Sequence, residues 1–479
     1  MTSSFFFYDL ETSGINPRKG RVMQFAGQRT DMELKPIGEP HNYLVKMTED
    51  VLPSPEAIMI TGITPQQTLA DGLTEAEFLK IFQEEIAAPG TIFVGYNTVR
   101  FDDEFMRYMH YRNFYDPFKW QWRDSRTKWD LLDVVRMTRA LRPEGIKWPK
   151  DKEGKSVNKL ELIAELNELS HENAHDALSD VLATIELAKL IKQKQPKLFE
   201  YLLGIRGKKP AAKLISGGQP FVYSSGKYDH KYEKTTVVGL MSEHPGGQGA
   251  VVFDLRYSPR DFIDKSAEEL VDALRYKPKD ENTQKFPAKT IKFNRCPAIA
   301  PLGVLDESSQ KRLDINLDDI KKNYQQLQKM KNILGEKFDE AVKVLDKERE
   351  VADKGQEKSV DERLYDGFFS DQDKRKMSLL RNLSQKELSE FSEKFDDSRL
   401  NELLPLYKAR NFPKSLTESE RVVWDNFRES KLIGGEPSEI SKFMQSIAQL
   451  YKDVGLSEQK KFLLEELKLY AESILPAAD

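Results

Sequence analysis

The sequence predicts an α/β domain built on a mixed sheet, followed by a small β-rich domain and a C-terminal helical domain. From Phe5 to about Pro196, apolar β-prone runs alternate with helical segments, as they do in α/β domains. Short β-prone runs between glycine and proline turns fill residues 220–296, which suggests a small β-barrel or sandwich. Helical patterns dominate from Leu317 onward. A chain of 479 residues exceeds one ordinary core, so two or three domains are expected.

The first domain begins with strands and continues mainly with helices. Its predicted strands are residues 5–10, 21–29, 42–45 and 91–96, and the first three are close enough along the chain to form an antiparallel meander. Its predicted helices are residues 75–86, 103–111, 130–141, 159–166 and 176–192. This order indicates a mixed sheet flanked by helices.

Two later segments are predicted to connect domains. The helical pattern stops near Gln195 and Pro196, and residues 204–218 are rich in glycine, lysine and proline, which is typical of a linker or of the entry to a new domain. The charged, weakly hydrophobic residues 347–361 are typical of a second, solvated linker. Between these segments we expect strands at 221–223, 235–240 and 250–255, and a helix at 267–275.

The composition indicates a soluble, cytoplasmic protein. Hydrophobic residues make up 39% and charged residues 32% of the chain, and no apolar run approaches the ~20 residues that span a bilayer. The N-terminus lacks the basic segment of a signal peptide. The single cysteine, Cys296, excludes an intrachain disulfide and fits a reducing compartment. The formal net charge of −4 argues against a wholly basic nucleic-acid coat.

Positive charge is nevertheless concentrated in residues 107–159, which we call the basic aromatic segment. It contains fourteen Lys or Arg against seven Asp or Glu, and nine aromatic residues, including four of the five tryptophans. Sequence-tolerant binding of single strands requires bases stacked on aromatic rings and cations on phosphates. About half of these aromatics are expected to be core residues, because aromatics at helical spacing usually pack inside. The remainder predict a face that binds single-stranded nucleic acid.

Two carboxylates lie at the end of the first predicted strand. Asp9 and Glu11 are two residues apart, so they project from the same face of that strand. Because burying an unpaired carboxylate is costly, the pair favours a bound cation over a packing role. Oxygen ligands select a hard divalent cation such as Mg²⁺ or Mn²⁺. A pair of strand-end salt bridges is the alternative that these two residues alone leave open.

Further candidate residues follow later in the domain. Asp102 stands at the second strand-to-helix connection, where its neighbour Asp103 is the alternative and either could be a helix N-cap. Asp180 lies in the last predicted helix, and His175 stands five residues earlier, with His171 as the alternative histidine. The motif spacing favours Asp102 and His175.

The motifs D-x-E, N-x-x-x-F-D and H-x-x-x-x-D suit two-metal hydrolysis of a phosphodiester. Two cations about 3.5–4 Å apart activate a water and stabilise the leaving oxygen, and several carboxylates must balance their charge. A histidine with a pKa near ~6.5 accepts a proton from water at neutral pH. The set predicts a metal-dependent nuclease, with a non-catalytic module that binds single strands as the alternative.

These motifs resemble those of the DEDD exonuclease superfamily, in its histidine-containing branch, and longer strings resemble the bacterial exonuclease I family. The strings are residues 9–12, 60–65, 95–104, 111–117 and 140–146, followed by 292–297, 364–371 and 407–413. The resemblance therefore covers essentially the whole chain. It implies an RNase H-like exonuclease domain at 1–196, an SH3-like domain with an extended helical segment at 197–350, and a C-terminal helical domain at 351–479.

The resemblance implies a processive 3′ to 5′ exonuclease that acts on single-stranded DNA in repair and recombination and releases nucleoside 5′-monophosphates. It implies two Mg²⁺ ions, replaceable by Mn²⁺, held by Asp9, Glu11 and Asp180, with Glu11 shared between the ions and contacting the DNA. Asp102 would complete the set, and His175 would be the general base. An RNA 3′ exonuclease is the alternative, because the same site cleaves either polymer.

The resemblance also implies a DNA path and a protein partner. Positions that match residues lining the DNA are Arg107, Phe118, Trp122, Arg136 and Arg142. Lys159 stands where the family has arginine, so it keeps the charge but loses the planar fork. The implied partner is the acidic C-terminal tail of single-stranded DNA-binding protein, expected near Arg142 and Tyr201. We expect a monomer without membrane association.

Overall fold

The computed structural model describes residues 3–169, 176–244, 247–275, 284–353, 358–453 and 455–476. The chain divides into two compact units. The first unit comprises Met1–Thr127, His171–Leu182 and Lys358–Asp479, and the second comprises Lys128–Ser170 and Ala183–Glu357. Within the described ranges, no helix combines the length and the apolar character needed to cross a membrane.

Strands and helices are numbered in chain order. The strands are β1 (Ser4–Thr12), β2 (Val22–Thr30), β3 (His41–Leu44), β4 (Thr91–Gly95), β5 (Thr127–Asp130), β6 (Phe221–Ser224), β7 (Thr235–Glu243), β8 (Gly249–Asp254), β9 (Ala288–Lys292) and β10 (Ala298–Pro301). The helices are α1 (Pro55–Thr61), α2 (Pro65–Asp71), α3 (Glu75–Ile81), α4 (Asp102–Arg112), α5 (Leu131–Leu141), α6 (Leu160–Leu166), α7 (Ala177–Lys194), α8 (Pro196–Ile205), α9 (Lys208–Ile215), α10 (Arg260–Ile263), α11 (Ala267–Leu274), α12 (Glu307–Leu313), α13 (Leu317–Asp353), α14 (Asp371–Leu380), α15 (Gln385–Glu390), α16 (Ser398–Asn411), α17 (Glu418–Leu432), α18 (Glu439–Leu450) and α19 (Glu458–Ile474).

In the first unit, four strands lie side by side in the order β3-β2-β1-β4. β1 pairs antiparallel with β2, and β2 pairs antiparallel with β3, which confirms the predicted meander. β1 pairs parallel with β4, so the sheet is mixed. Aromatic residues form much of the core beside this sheet, and Phe6, Tyr8, Phe25, Phe93 and Trp120 belong to one buried cluster.

The C-terminal helices α14–α19 belong to the same unit and share its core. Tyr470 of α19 is buried, and its hydroxyl donates to the backbone oxygens of Thr48 (3.1 Å) and Val51 (3.2 Å). Tyr111 of α4 likewise donates to the backbone oxygen of Val360 (3.0 Å). Leu464 and other apolar residues of α19 lie in one cluster with residues from the first sixty-three positions. These contacts tie the C-terminal helices to the sheet.

A buried ion cluster joins the same parts of the first unit. Asp50 contacts Arg21 (3.1 Å), Arg410 (2.9 Å) and Lys431 (2.7 Å), and Asp361 contacts Arg410 at 2.6 Å. Burial alone would raise the pKa of Asp50, but the charges of Arg410, Lys431 and Arg21 outweigh it and hold that pKa well below its ordinary value. The pKa of Asp361 is held low in the same way, by Arg410, Arg21 and Lys431, so both carboxylates of the cluster are ionised at neutral pH.

The second unit contains a five-stranded antiparallel sheet in the order β10-β6-β7-β8-β9. The long helix α13 packs against β7, where Gly239 permits close approach. A Cβ atom at Gly239 would come within 2.8 Å of the Leu327 side chain and 3.1 Å of the Tyr324 ring. The β-rich region predicted for residues 220–296 is therefore present, and β9 and β10 extend its sheet to Pro301.

Several sequence predictions about connections are wrong. Helices α1 and α2 were not predicted, and the proposed linker at 204–218 contains α9. Helix α7 ends at Lys194, as predicted, but a further helix follows at once, with Pro196 in the first turn of α8, where the missing backbone donor costs nothing. Helix α13 continues to Asp353, so the first part of the predicted 347–361 linker is helical.

Candidate active site

Three carboxylates predicted from the motifs lie together in the first unit. One side-chain oxygen from each of Asp9, Glu11 and Asp180 lies within 4.8 Å of the others. All three side chains are partly exposed, so an ion from solvent can reach them. The structure thus brings together residues that are 171 positions apart in the chain.

The position of Asp9 and Glu11 follows from the pairing of β1. β1 pairs with β4 from Ser4 opposite Thr91 to Phe7 opposite Val94, so both carboxylates lie beyond this paired stretch. On its other side β1 continues against β2, with Glu11 opposite Gln24, and the register shifts directly after Glu11. The carboxylates therefore lie at the sheet edge where β1 and β4 end, as the sequence predicted.

Asp102 reaches this edge through a tight connection after β4. Asn97 adopts a left-handed backbone (φ 70°), which asparagine tolerates better than most residues. Gly95 packs so closely that a Cβ there would come within 2.0 Å of the Thr98 side chain. The connection leads into α4, and Asp102 is its first residue.

Asp102 and Asp103 have different surroundings. Asp103 is buried and accepts a hydrogen bond of 2.6 Å from the Tyr8 hydroxyl, so it has a structural partner in the core. The charge of Asp102, in contrast, acts on both Asp9 and Glu11. Asp102 is therefore the residue that faces the carboxylate cluster electrostatically.

Asp180 is positioned by a hydrogen-bond network that the sequence did not suggest. Gln24, opposite Glu11 in the sheet, donates to Asp176 Oδ1 at 3.0 Å, and its own oxygen accepts from the Ala177 backbone at 3.4 Å. Asp176 Oδ2 accepts from the Ser179 backbone at 3.1 Å and so caps the start of α7. The buried Gln24 therefore fixes the helix end that carries Asp180.

Burial and the close approach of the carboxylates raise the pKa values of Asp9 and Glu11. Burial and the charges of Asp102, Asp180, Glu11 and Asp176 raise the pKa of Asp9 well above its ordinary value. Burial and the neighbouring carboxylates, Asp180 first among them, raise the pKa of Glu11 to about 8. Carboxylates held this close require positive charge to ionise together. The donor set, all carboxylate oxygen, fits a hard divalent cation.

The predicted base His175 and its alternative His171 lie outside the described residues. The role of His175 therefore remains a prediction from the motif.

Three predicted DNA-path residues lie in the first unit. The Arg107 guanidinium stands 5.6 Å from the centre of the Phe118 ring and donates to Gln121 (2.7 Å). Trp122 is 61% exposed. Two aromatics that the sequence did not suggest, Tyr365 and Phe368, adjoin Phe118, with 6.1 Å and 6.4 Å between the ring centres. Phe368 is 90% exposed. We call Phe118, Trp122, Tyr365 and Phe368 the exposed aromatic surface.

The other three predicted DNA-path residues belong to the second unit. Arg136 pairs with Asp133 at 2.6 Å and lies against Gly226, where a Cβ would come within 2.8 Å of the guanidinium. Arg142 pairs with Asp306 at 3.0 Å. Lys159 is exposed and lies 3.5 Å from Glu161. Lys159 is thus exposed, whereas Arg136 and Arg142 are partly buried, and their assignment to a DNA path remains a prediction.

The second unit also contains a cavity of about 670 Å³ beside Tyr201. Its lining includes Lys213, Phe221 and Leu302. The Tyr201 hydroxyl is buried and has no hydrogen-bond partner among the described residues. Arg142 is close in the chain fold, because it donates to the backbone oxygen of Val304 at 2.9 Å. We call this the Tyr201 cavity.

Three family models match successive parts of the chain. The model described as "Exonuclease" matches residues 6–188, "Exonuclease I SH3-like domain" matches 206–343, and "Exonuclease I C-terminal domain" matches 358–474. The predicted fold classes, a mixed α/β domain, an SH3-like domain and a C-terminal helical domain, are thus confirmed.

Individual proteins show the same similarity over their full length. Exodeoxyribonuclease I of Haemophilus influenzae is 40% identical over 98% of this chain and 99% of its own. The crystal structure of Escherichia coli Exonuclease I in complex with a dT13 oligonucleotide superposes with a TM-score of 0.91 at 36% identity, covering 99% of this chain and 100% of that chain. A crystal structure of SSB/Exonuclease I in complex with inhibitor CFAM gives a TM-score of 0.88 at 34% identity, with the same coverage.

Proposed function

The chain belongs to the exonuclease I family and is a 3′ to 5′ exonuclease of single-stranded DNA, and from this premise we propose a role for each residue of its site. The observation that carries the proposal is the approach of Asp9, Glu11 and Asp180 to within 4.8 Å. Carboxylates at this separation repel one another unless a cation lies between them.

We assign two Mg²⁺ ions, replaceable by Mn²⁺, to this cluster. Asp9, Glu11 and Asp180 would hold the ions, with Glu11 shared between them, and Asp102 would balance their remaining charge. Bound there, the ions would make a water more acidic and neutralise charge on the cleaved phosphate. Glu11 would also contact the terminal nucleotide of the DNA.

Proton transfer is assigned to His175. Its place in the H-x-x-x-x-D motif, five residues before Asp180, supports this role. A neutral imidazole removes a proton from water at physiological pH, and a positioned base of this kind contributes ~10²–10⁴-fold to the rate. The products would be nucleoside 5′-monophosphates.

The exposed aromatic surface is proposed to bind the single strand. Exposed rings stack on bases of any sequence, and Arg107 beside Phe118 supplies positive charge for the phosphates. Tyr365 and Phe368 extend the surface beyond the residues predicted from sequence. In the second unit, Arg136, Arg142 and Lys159 are proposed to contact the DNA backbone.

The Tyr201 cavity is proposed to receive the acidic C-terminal tail of single-stranded DNA-binding protein. It combines apolar walls with Lys213, and Arg142 nearby offers a guanidinium to a carboxylate. An Arg142→Ala variant should then lose affinity for a peptide of that tail. We further propose that the enzyme is a cytoplasmic monomer of DNA repair and recombination, with domains at 1–196, 197–350 and 351–479.

Digestion of matched DNA and RNA oligomers tests the substrate and direction. Strands of the same sequence, labelled at the 5′ end, are incubated with Mg²⁺ or with EDTA, alongside an Asp180→Asn variant. We expect a ladder that shortens from the 3′ end on DNA with Mg²⁺, and intact strands with EDTA or the variant. Equal digestion of RNA would make the chain a general 3′ exonuclease. Tight binding without cleavage would make it a binding module.

A further inference from the structure

A second cavity, with polar walls and a volume of about 430 Å³, lies in the first unit. Five cationic side chains line it, namely Lys119, Arg123, Arg126, Lys374 and Arg381, against two carboxylates, Asp116 and Asp124. We call it the basic cavity. Its size is within the range of small-ligand sites in proteins.

The basic cavity lies away from the carboxylate cluster. Its walls include Ala87 and Pro89, which precede β4. β4 starts at Thr91, opposite Ser4 of β1, whereas Asp9 lies towards the other end of β1. Five residues of strand separate Ser4 from Asp9, which is roughly 16 Å at ~3.3 Å per residue. The cavity is therefore a separate site, near the opposite ends of the strands from the carboxylate cluster.

Its carboxylates are already engaged by their own neighbours. Asp116 accepts from the backbone nitrogens of Phe118 and Lys119, each at 3.1 Å. Asp124 lies 3.7 Å from Arg123 and 3.4 Å from Arg126. Neither carboxylate is within ion-pair distance of Lys374 or Arg381 among the described residues.

Helix α14 brings those two cations to the cavity. Lys374, Met377, Ser378 and Arg381 all line it, and their spacing of three and four residues places them on one helix face. Among the described residues, the exposed Asp371 is the counter-charge within ion-pair distance of Lys374, at 3.5 Å. Arg381 lies 4.1 Å from the centre of the Tyr115 ring and donates to the Met377 backbone oxygen at 3.1 Å. No carboxylate lies within 4.0 Å of Arg381 in the described parts of the chain.

Hydrogen-bond donors without acceptors occur in the same walls. The Trp120 indole nitrogen and Arg126 Nε are buried and have no hydrogen-bond partner among the described residues. A lining with surplus cations and surplus donors favours a ligand that is anionic and rich in acceptors. Guanidinium groups, present here from Arg123, Arg126 and Arg381, suit the oxygens of phosphate in particular.

We propose that the basic cavity binds a phosphate monoester. Two sources offer that group: a nucleoside 5′-monophosphate, and free inorganic phosphate. Naming the mononucleotide rests on the proposed function, because this is the product that the exonuclease would release. The volume of the cavity suits a mononucleotide as well as phosphate alone.

Calorimetric titration in EDTA tests the proposal without any cleavage. EDTA removes the divalent cations that would hold a phosphate at the carboxylate cluster. Neither binding at that cluster nor failure of the proposed catalysis can then affect the result. The probes are inorganic phosphate, thymidine 5′-monophosphate and thymidine, at low ionic strength because salt screens such contacts. We expect one site per chain for the two phosphates and no binding of thymidine. Tighter binding of the mononucleotide than of phosphate would identify it as the ligand.

Charge reversal on α14 tests whether the phosphate binds in the basic cavity. Lys374→Glu should weaken phosphate binding by about tenfold or more, because it replaces an attraction by a repulsion at the cavity wall. Arg375→Glu is the matched control, since Arg375 is exposed on the same helix and does not line the cavity. Ser378→Glu is a second variant at an exposed lining position, and thermal unfolding verifies that each variant is folded.

Three results would overturn the proposal. The first is the absence of phosphate binding to the wild-type chain. The second is equal weakening by Lys374→Glu and Arg375→Glu, which would indicate general surface charge. The third is that an oligonucleotide binds but neither phosphate nor the mononucleotide does, and that Lys374→Glu abolishes this binding. That result would assign the cavity to the DNA path.

Discussion

Replacing Glu11 with glutamine should stabilise the metal-free protein at alkaline pH while abolishing cleavage. Burial and the charges of Asp180, Asp102 and Asp176 raise the pKa of Glu11 to about 8 in the metal-free chain. Glutamine keeps the shape of the side chain and removes its charge. The side chain that we assign to the metals is therefore a source of instability in their absence.

The magnitude follows from the two pKa values of Glu11. Below its ordinary pKa of 4.5 the group is protonated in the folded and unfolded chain, so it affects stability little. As the pH rises from there, the unfolded chain loses the proton first, and the free energy of unfolding falls until about pH 8, where the folded chain loses it too. Between about pH 5.5 and 8 the loss from Glu11 is ~3 kcal/mol, at ~1.4 kcal/mol per pKa unit.

Urea unfolding in EDTA measures this difference. Wild-type and Glu11→Gln proteins are compared at about pH 5.5 and 8, with Glu39→Gln, at an exposed position, as the control. Contributions from groups that do not interact with Glu11 cancel in the comparison. The charge of Glu11 helps to raise the pKa of Asp9, so its removal relieves Asp9 and adds to the difference in the same direction. We expect the wild-type and control proteins to lose ~3 kcal/mol more than Glu11→Gln over this range. Equal losses in all three proteins would refute the account of the cluster, and added Mg²⁺ should reduce the wild-type loss.

Four further outcomes are expected. Gln24→Leu should lower kcat by about tenfold with little change in DNA affinity, because α7 loses the contact that positions Asp180. An unchanged kcat in steady-state kinetics would show that Gln24 does not position Asp180 for catalysis. Asp50→Asn should lower the free energy of unfolding by about 3–5 kcal/mol, as expected when a buried ion cluster loses one charge, and an unchanged urea midpoint would contradict this. Trp122→Ala should weaken single-strand binding by ~1–3 kcal/mol in fluorescence anisotropy, whereas undiminished affinity would remove it from the surface. His175→Ala should retain DNA binding but reduce turnover by ~10²–10⁴-fold, and full activity would exclude it as the base.

The sequence predicts the carboxylate cluster well because its members are fixed by local patterns. Asp9 and Glu11 share a strand face by the two-residue repeat, and Asp102 opens the helix that follows β4. The strand meander was also predictable, since its members are close in the chain. Motif spacing then distinguished Asp102 from Asp103, and the Tyr8 hydrogen bond to Asp103 gives the physical reason.

Features that depend on distant contacts were not predictable. Gln24 and Asp176 are 152 residues apart, and no local pattern indicates that an amide in β2 holds the start of α7. Tyr365 and Phe368 join Phe118 only through the tertiary fold. The composition of residues 204–218 is typical of a linker, yet these residues contain helix α9. Its proline, Pro210, lies in the first turn, where proline does not interrupt a helix.

The same limit applies to the end of α13. Its last residues are charged and lack apolar periodicity, so they resemble a solvated linker in the sequence. Lysine, glutamate and arginine are nevertheless good helix formers, and a fully solvated helix face needs no apolar partner. Charge alone therefore does not distinguish a linker from an extended helix.

Titration of the metal-free chain with Mn²⁺, followed by the electron paramagnetic resonance of the free ion, tests the central claim most directly. The account predicts two ions bound per wild-type chain, and loss of at least one in Asp180→Asn, because Asp180 supplies an oxygen within 4.8 Å of those of Asp9 and Glu11. Asp71→Asn, at an exposed position, should bind as the wild type does. The same stoichiometry and affinity in Asp180→Asn as in the wild type would contradict the assignment of the cluster as the metal site.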